Sequence, residues 1–391
     1  MLLFFKTHID IMFEEFSKFL NEPWEEVATQ EAKGKDLKEI ITWEVEGIKL
    51  NAIYTEADLT NISYLQTFHQ SLLRPDAPQR SWRNAQKIIV SAEQPANHFA
   101  LEALNGGVNE VIFDVSPIAQ VDLEILLAEI LLPYCAVSFI CKENQAISLI
   151  HHYFEYARKN DCDASVLAGS ITLLDVFIPN RETLKYLFTL TQHAPNFSVI
   201  NLFSAEKTIT DKYATLLLKA TQVTDALLKE GIPIAQIIQK IQFTSALSNT
   251  YFLEIAGLRA LRMLFTEIVK EYGLKDYKSY QVHIQANTTI STDEKTAQEP
   301  DWNMLSNTTQ AMSAIIGGCD VLCVIPHNEG ISELNSFSYR IARNVHNLLA
   351  EEAYFDKIVD AGAGAYYIDV LTDKLAEKIW EKFTGLYASV D

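Results

Sequence analysis

The chain has 391 residues, of which 48% are hydrophobic and 21% charged, and it carries a formal net charge of −19. That composition belongs to a globular protein rather than a disordered one. With 51 acidic against 32 basic residues, it lacks the Lys/Arg footprint that a phosphate backbone needs, which argues against nucleic acid and against an anionic membrane surface as partners.

The apolar start, Met1 to Phe5, is broken by Lys6, His8 and Asp10. It is too short for a signal segment or a membrane span, and Met12 is an alternative start. Residues 1–80 read as an extended arm. Phe13, Phe16, Phe19 and Leu20 give a short helix one apolar face, and 24–30 and 36–39 are charged and helix-like. Residues 42–53 alternate around Glu46-Gly47 in the pattern of a hairpin. Trp24, Trp43, Tyr54, Tyr64 and Phe68 are more aromatic surface than one hairpin can bury, so the arm is expected to pack on another surface. Arg74-Pro-Asp-Ala-Pro78 marks its end.

From residue 81 to 391, short apolar runs alternate with amphipathic helices. The expected strands are 87–91, 110–115, 136–140, 164–167, 198–202, 241–245, 281–285 and 321–325. The expected helices are 95–104, 121–131, 144–159, 181–192, 211–230, 250–271, 302–316 and 332–354, with a last one over 373–383. Apolar strands flanked by helices imply a parallel sheet covered on its outer face. Eight such units fit an α/β (β/α)8 TIM barrel better than an open sheet.

Chemistry in a barrel sits at the C-terminal ends of its strands. The polar groups expected there are Ser91 and Glu93, Asp114 and Ser116, Gly169-Ser170, Asn201 to Ser204, Ser245, Gln285 and Asn287, and His327 to Glu329. His327 with Glu329 is the one acid–base candidate, against a loop-anchoring role; Glu93 and Asp114 are a candidate carboxylate pair, against a capping or hydrated role. Cys135, Cys141, Cys162, Cys319 and Cys323 have no His at zinc spacing and read as buried thiols of a reducing cytoplasm. His151-His152 are neighbours on a helix, about 100° apart, and so are expected to be a solvated pair rather than metal ligands. Asn105-Gly-Gly107 and Gly362-Ala-Gly364 match no nucleotide-binding loop and read as helix caps and turns.

Three blocks stand out, Ser248 to Arg262, Asp301 to Gly318 and Asp360 to Tyr367, and together they resemble the methylmalonyl-CoA mutase family. Ser248 to Arg262 is similar to its N-x-F-x-E-I-A-K-x-R-A-x-R helix, with Gly257 where Lys is usual. Asp301-Trp302-Asn303, Thr308 to Met312 and Gly317-Gly318 are similar to N-x-x-R-T-T-x-E-A-M-x-A-x-x-G-G. Asp360 to Tyr367 resembles D-P-x-x-G-S-Y-Y, and it follows a helix bearing Arg340, Arg343 and Asn344. These blocks build the barrel, so the resemblance implies the fold first.

The family's catalytic elements depart. Its G-Y-H-M-Q-E run after strand five stands here as Asn201-Leu202-Phe203-Ser204-Ala205-Glu206, with Leu202 at the Tyr position and Phe203 at the His position. Residues 164–180 hold no Lys or Arg to pair a substrate carboxylate, and an unpaired buried carboxylate costs several kcal/mol. The R-T-H-S-Q-T-S-G run becomes Ile284 to Ser291, without the Arg that meets CoA phosphates, and R-Q-Y-A-G-F is unrecognisable in 76–87. The acidic net charge also tells against a strong site for polyanionic CoA. No Asp-x-His stretch of a cobalamin-binding domain occurs.

The resemblance therefore implies a small, non-catalytic subunit with no catalytic, cofactor or metal residues of its own. Its expected partner is a large catalytic mutase subunit, which would hold adenosylcobalamin and interconvert succinyl-CoA and methylmalonyl-CoA in the cytoplasm. Two alternatives stay open: an acyl-CoA mutase barrel with altered substrate and a separate cobalamin chain, and a free-standing ligand-binding or scaffold barrel.

Overall fold

The computed structural model describes residues 21–33, 36, 40–75, 79–174, 180–290 and 299–389. The expected helix around Phe13 to Leu20 and the stretch 37–39 lie outside them. The chain divides into two compact units, Met1–Thr55 and Glu56–Asp391. The first holds helix α1 (Asn21–Glu31) and an antiparallel hairpin of β1 (Thr42–Val45) and β2 (Ile48–Asn51), which turns at Glu46-Gly47 as expected.

The second unit begins with α2 (Glu56–Leu59) and α3 (Leu65–Ser71). The division falls at Thr55–Glu56 rather than at residue 80, because the segment just before the barrel is bonded into it. Tyr64 donates to Asp373 (2.5 Å), His69 Nε2 lies 3.1 Å from Asp369, Ser71 donates to Ser279 (2.8 Å) and Arg74 to Asp320 (2.7 Å). Leu65 and Phe68 are buried beside them.

The barrel strands are β3 (Arg83–Ile89), β4 (Glu110–Asp114), β5 (Ala136–Cys141), β6 (Ala168–Leu173), β7 (Asn196–Ser198), β8 (Ile200–Phe203), β9 (Ile241–Ala246), β10 (Ile284–Asn287) and β11 (Val321–Cys323). They form one parallel sheet in the order β7-β6-β5-β4-β3-β11-β10-β9-β8. The two ends of that order, β7 and β8, are halves of one stretch separated only by Val199. One half pairs with β6 and the other with β9, so the sheet curls into the expected (β/α)8 barrel. Asn196 and Ser198 face the same way as Ala168 and Ser170, whereas beyond the break Asn201 and Phe203 share a face with Gln242 and Thr244. Val199 and Ile200 together act as a β-bulge, and both are buried.

Helices cover the outside: α4 (Glu93–Asn105), α5 (Leu123–Leu126), α6 (Glu143–Lys159), α7 (Arg181–Leu190), α8 (Ile209–Lys229), α9 (Ile234–Gln239), α10 (Tyr251–Glu271), α11 (Trp302–Gly317), α12 (Ser336–Asn347) and α13 (Tyr366–Ala388). The outward strand residues pack on them. Phe139 meets Tyr153 edge-on at 5.2 Å, and Phe243 meets Phe265 at 4.8 Å.

Several expected elements differ: the last helix runs Tyr366–Ala388 rather than 373–383, strand seven is Ile284–Asn287 rather than 281–285, and three others depart further. Strand four is not 164–167 but Ala168–Leu173, and Ala164–Val166 is a 3-10 turn capped by Asp163. Gly169 allows this at φ 141, since any Cβ there would collide with the Val137 carbonyl. The helix over 121–131 shrinks to the single turn of α5 behind its cap Asp122. The helix over 332–354 starts only at Ser336, because Asn335 accepts the Ser338 N–H and caps it.

Candidate functional site: the barrel interior and its mouths

Strand register decides which side chains face the barrel axis. Arg83, Ala85, Lys87 and Ile89 share a face with Glu110, Ile112 and Asp114 on one side and with Val321 and Cys323 on the other. Continuing round, the same face carries Ser138, Ile140, Ser170, Thr172, Asn201, Phe203, Gln242, Thr244, Gln285 and Asn287. TIM-barrel interiors are dominated by branched apolar side chains; this one is largely polar. Buried polar groups have to find partners, and these find one another across the strands.

Asn201 carries one such chain, donating to Thr172 (2.6 Å) and accepting from Thr244 (2.7 Å). Gln242 donates to Gln285 (2.8 Å), which donates in turn to Asn287 (2.9 Å). Toward the strands' N-terminal ends, Glu110 accepts from Ser138 (2.6 Å) and lies 3.2 Å from the Arg83 guanidinium. Arg83 also lies 3.0 Å from His283. At the C-terminal mouth, Lys87 donates to Glu329 (2.6 Å). Burial works against the charge on Lys87, but the Glu329 carboxylate outweighs it and holds the ammonium above its ordinary pKa.

The expected strand-end candidates are not gathered into a reactive set. Glu329 is committed to Lys87, and His327 Nε2 lies 3.9 Å from Asp301 instead. The His327 ring stands edge-on to Phe337, and burial pushes its pKa down. Glu93 accepts the Asp122 N–H, while Asp114 accepts from Ser116. Ser245 points outward, 3.2 Å from the Tyr213 hydroxyl, and Ser170 lies mid-strand rather than at the mouth. Leu202 is buried on the outer face. Phe203 takes the inward position at the end of its strand; its carbonyl accepts from Lys219 (2.7 Å), whose ammonium lies 5.5 Å from the ring centre.

A cavity of about 870 Å³ opens at the opposite, N-terminal mouth, where Arg83, Asn196, Ser198, Gln281 and His283 contribute polar groups. Outside the barrel, on α6, His151, His152 and Glu155 each bring a ligand-type atom within 4.8 Å of the others. Glu155 was no part of the sequence expectation; its signal is the spacing of four and three residues from the two histidines. Gln242 and Thr244 stand at alternate positions of β9, but which polar groups they meet is set by strand register.

The blocks carrying the family resemblance supply buried contacts that hold the barrel together. Arg259 of α10 is buried against Asp360 and Asp369, and Arg262 binds Asp320 and three backbone carbonyls. Gly257 faces Tyr213, where a Cβ would lie 2.6 Å from the ring, so this chain has no room for the usual Lys. Residues 111–388 match the sequence pattern of the family described as methylmalonyl-CoA mutase. The chain belongs to the methylmalonyl-CoA mutase family. It is 30% identical, over 96% of its own length, to a Porphyromonas gingivalis protein named methylmalonyl-CoA mutase small subunit, and it covers 64% of that protein. It is 26% identical to the methylmalonyl-CoA mutase of Cereibacter sphaeroides, covering 91% of this chain and 57% of that one. A methylmalonyl-CoA mutase large subunit from the same Porphyromonas gingivalis strain is also 26% identical, over 90% of this chain and 56% of the large subunit. The chain thus spans less than two thirds of the length of each of these relatives.

Proposed function

We propose that this chain is a non-catalytic small subunit of a two-chain methylmalonyl-CoA mutase. A large chain would bind adenosylcobalamin and perform the exchange between succinyl-CoA and methylmalonyl-CoA. The observation that carries this reading is the inward face of the barrel. Its polar side chains are tied to one another, with Phe203 where the family places the His that contacts the thioester carbonyl. A thioester oxygen has no hydrogen-bond donor in Phe203, and the leading donors around the axis already have acceptors.

The sequence holds no Asp-x-His stretch, and His327 is buried with its ring against Phe337. No step through cobalamin is assigned to this chain. Separate small- and large-subunit relatives in one organism support a large-chain partner. The N-terminal unit, with exposed Trp24 and Trp43, is the segment we assign to partner binding. Among the described residues no helix is long and apolar enough to cross a membrane, and a cytoplasmic site of action is part of the same proposal.

The test is co-expression with the large mutase chain of the same source. A stoichiometric complex that turns over methylmalonyl-CoA is expected, with the isolated small chain inactive even with adenosylcobalamin added. Turnover by the isolated chain would overturn the non-catalytic reading, and failure to co-purify would overturn the subunit reading.

A further inference from the structure

The outer helix α6 (Glu143–Lys159) buries Ala146, Leu149, Ile150, Tyr153, Tyr156 and Ala157 against the barrel. Its other face carries His151, His152 and Glu155, all accessible. Two adjacent histidines alone diverge by about 100° around a helix. Glu155 changes that geometry. Four residues after His151 and three after His152, it falls between them in angle, roughly 40° from one and 60° from the other, about one turn along the axis. The three side chains therefore converge on one spot, which neither histidine would define alone.

The distances agree. His151 Nδ1 lies 3.6 Å from Glu155 Oε2, and the three ligand-type atoms are all within 4.8 Å of one another. The imidazole rings are edge-on, with centres 5.7 Å apart, rather than stacked. His152 Nδ1 lies 3.4 Å from Ser148 Oγ. A partner on one ring nitrogen orients a histidine and leaves the other nitrogen for a metal. Bonds of about 2.0–2.2 Å to nitrogen and oxygen need only small rotations of these surface side chains. Among the described residues, Arg158 competes for Glu155 at 3.7 Å, and it is 81% exposed, free to swing away.

We propose that His151, His152 and Glu155 form a binding site for one zinc-type divalent ion. Three protein ligands of this kind leave a fourth position open to water, and imidazole with carboxylate selects zinc-like ions over magnesium or calcium. The site lies on the outside of the barrel and is independent of the subunit assignment.

The experiment is a chelator-buffered Zn²⁺ titration of the tag-free chain by equilibrium dialysis. It is paired with X-ray absorption of the Zn²⁺-loaded protein. One Zn²⁺ per chain with a shell of nitrogen and oxygen only is expected. Affinity should drop at least tenfold in His152→Ala and in Glu155→Gln, and be lost when His151→Ala and His152→Ala are combined. No saturable binding, unchanged binding in the double variant, or sulfur in the shell would each overturn the proposal. The absorption measurement on the unaltered chain decides the matter even if a variant misfolds.

Discussion

At the scale of single residues, the buried histidine His346 has a consequence that can be measured. It is 3% exposed, and Trp82 Nε1–H donates to its Nδ1 (3.2 Å), which leaves the proton on Nε2 and the ring neutral. Burial pushes its pKa down to about 3, from 6.5. Between those values the unfolded chain binds a proton that the folded chain refuses, so the stabilisation is complete above pH 6.5 and is lost as pH falls toward 3. The slope from one such group is about 1.4 kcal/mol per pH unit. Urea unfolding of His346→Gln beside the parent, at pH 7, 6, 5 and 4.5, should show a flatter decline in the variant by about that slope. Parallel curves would mean that the ring is protonated in the folded protein.

At the scale of elements, the strand positions most at odds with expectation are the most constrained. Gly169 lies at φ 141 in β6, with the Val137 carbonyl where a Cβ would stand. Gly169→Ala is therefore expected to cost roughly 1–3 kcal/mol through backbone strain alone, with more from prising β6 off β5. A midpoint shift in urea below what a surface Ala substitution gives would show that the sheet simply relaxes. The same position explains why the sequence misled here. The apolar run 164–167 has strand-like residues, but Asp163 caps a turn over them, and the real strand has a glycine, Gly169, as its second residue, which period-two reasoning treats as an interruption. Elsewhere continuous apolar runs located strands to within a few residues, because both faces of β4 and β5 are buried. The inward polar set was harder to see. It emerges only when register joins Thr172, Asn201 and Thr244 across three strands, and the bulge at Val199 switches the inward parity just before Asn201. The replacement of His by Phe203 was legible from the family motif; that its neighbours already satisfy each other was not.

At the scale of the whole molecule, the division of the chain makes a prediction that separates binding from folding. The compact unit starts at Glu56, and residues 64–74 hold it together from outside the barrel. His69 and Arg259 both reach Asp369, which is fully buried, and Arg74 and Arg262 both reach Asp320. Removing residues 1–55 leaves each of these contacts in place. The barrel is then expected to unfold in urea at nearly the parent midpoint, while co-purification with the large mutase chain is lost. Removing residues 1–75 instead strips Leu65, Phe68, His69 and Arg74. It uncovers apolar surface and withdraws one partner each from two buried carboxylates, a loss of several kcal/mol. That truncation should fold poorly or aggregate, so its failure to bind would say nothing about the interface. If the shorter truncation still binds the large chain, the partner surface lies on the barrel. If the longer one is as stable as the shorter, the segment 56–75 is no part of the folded core.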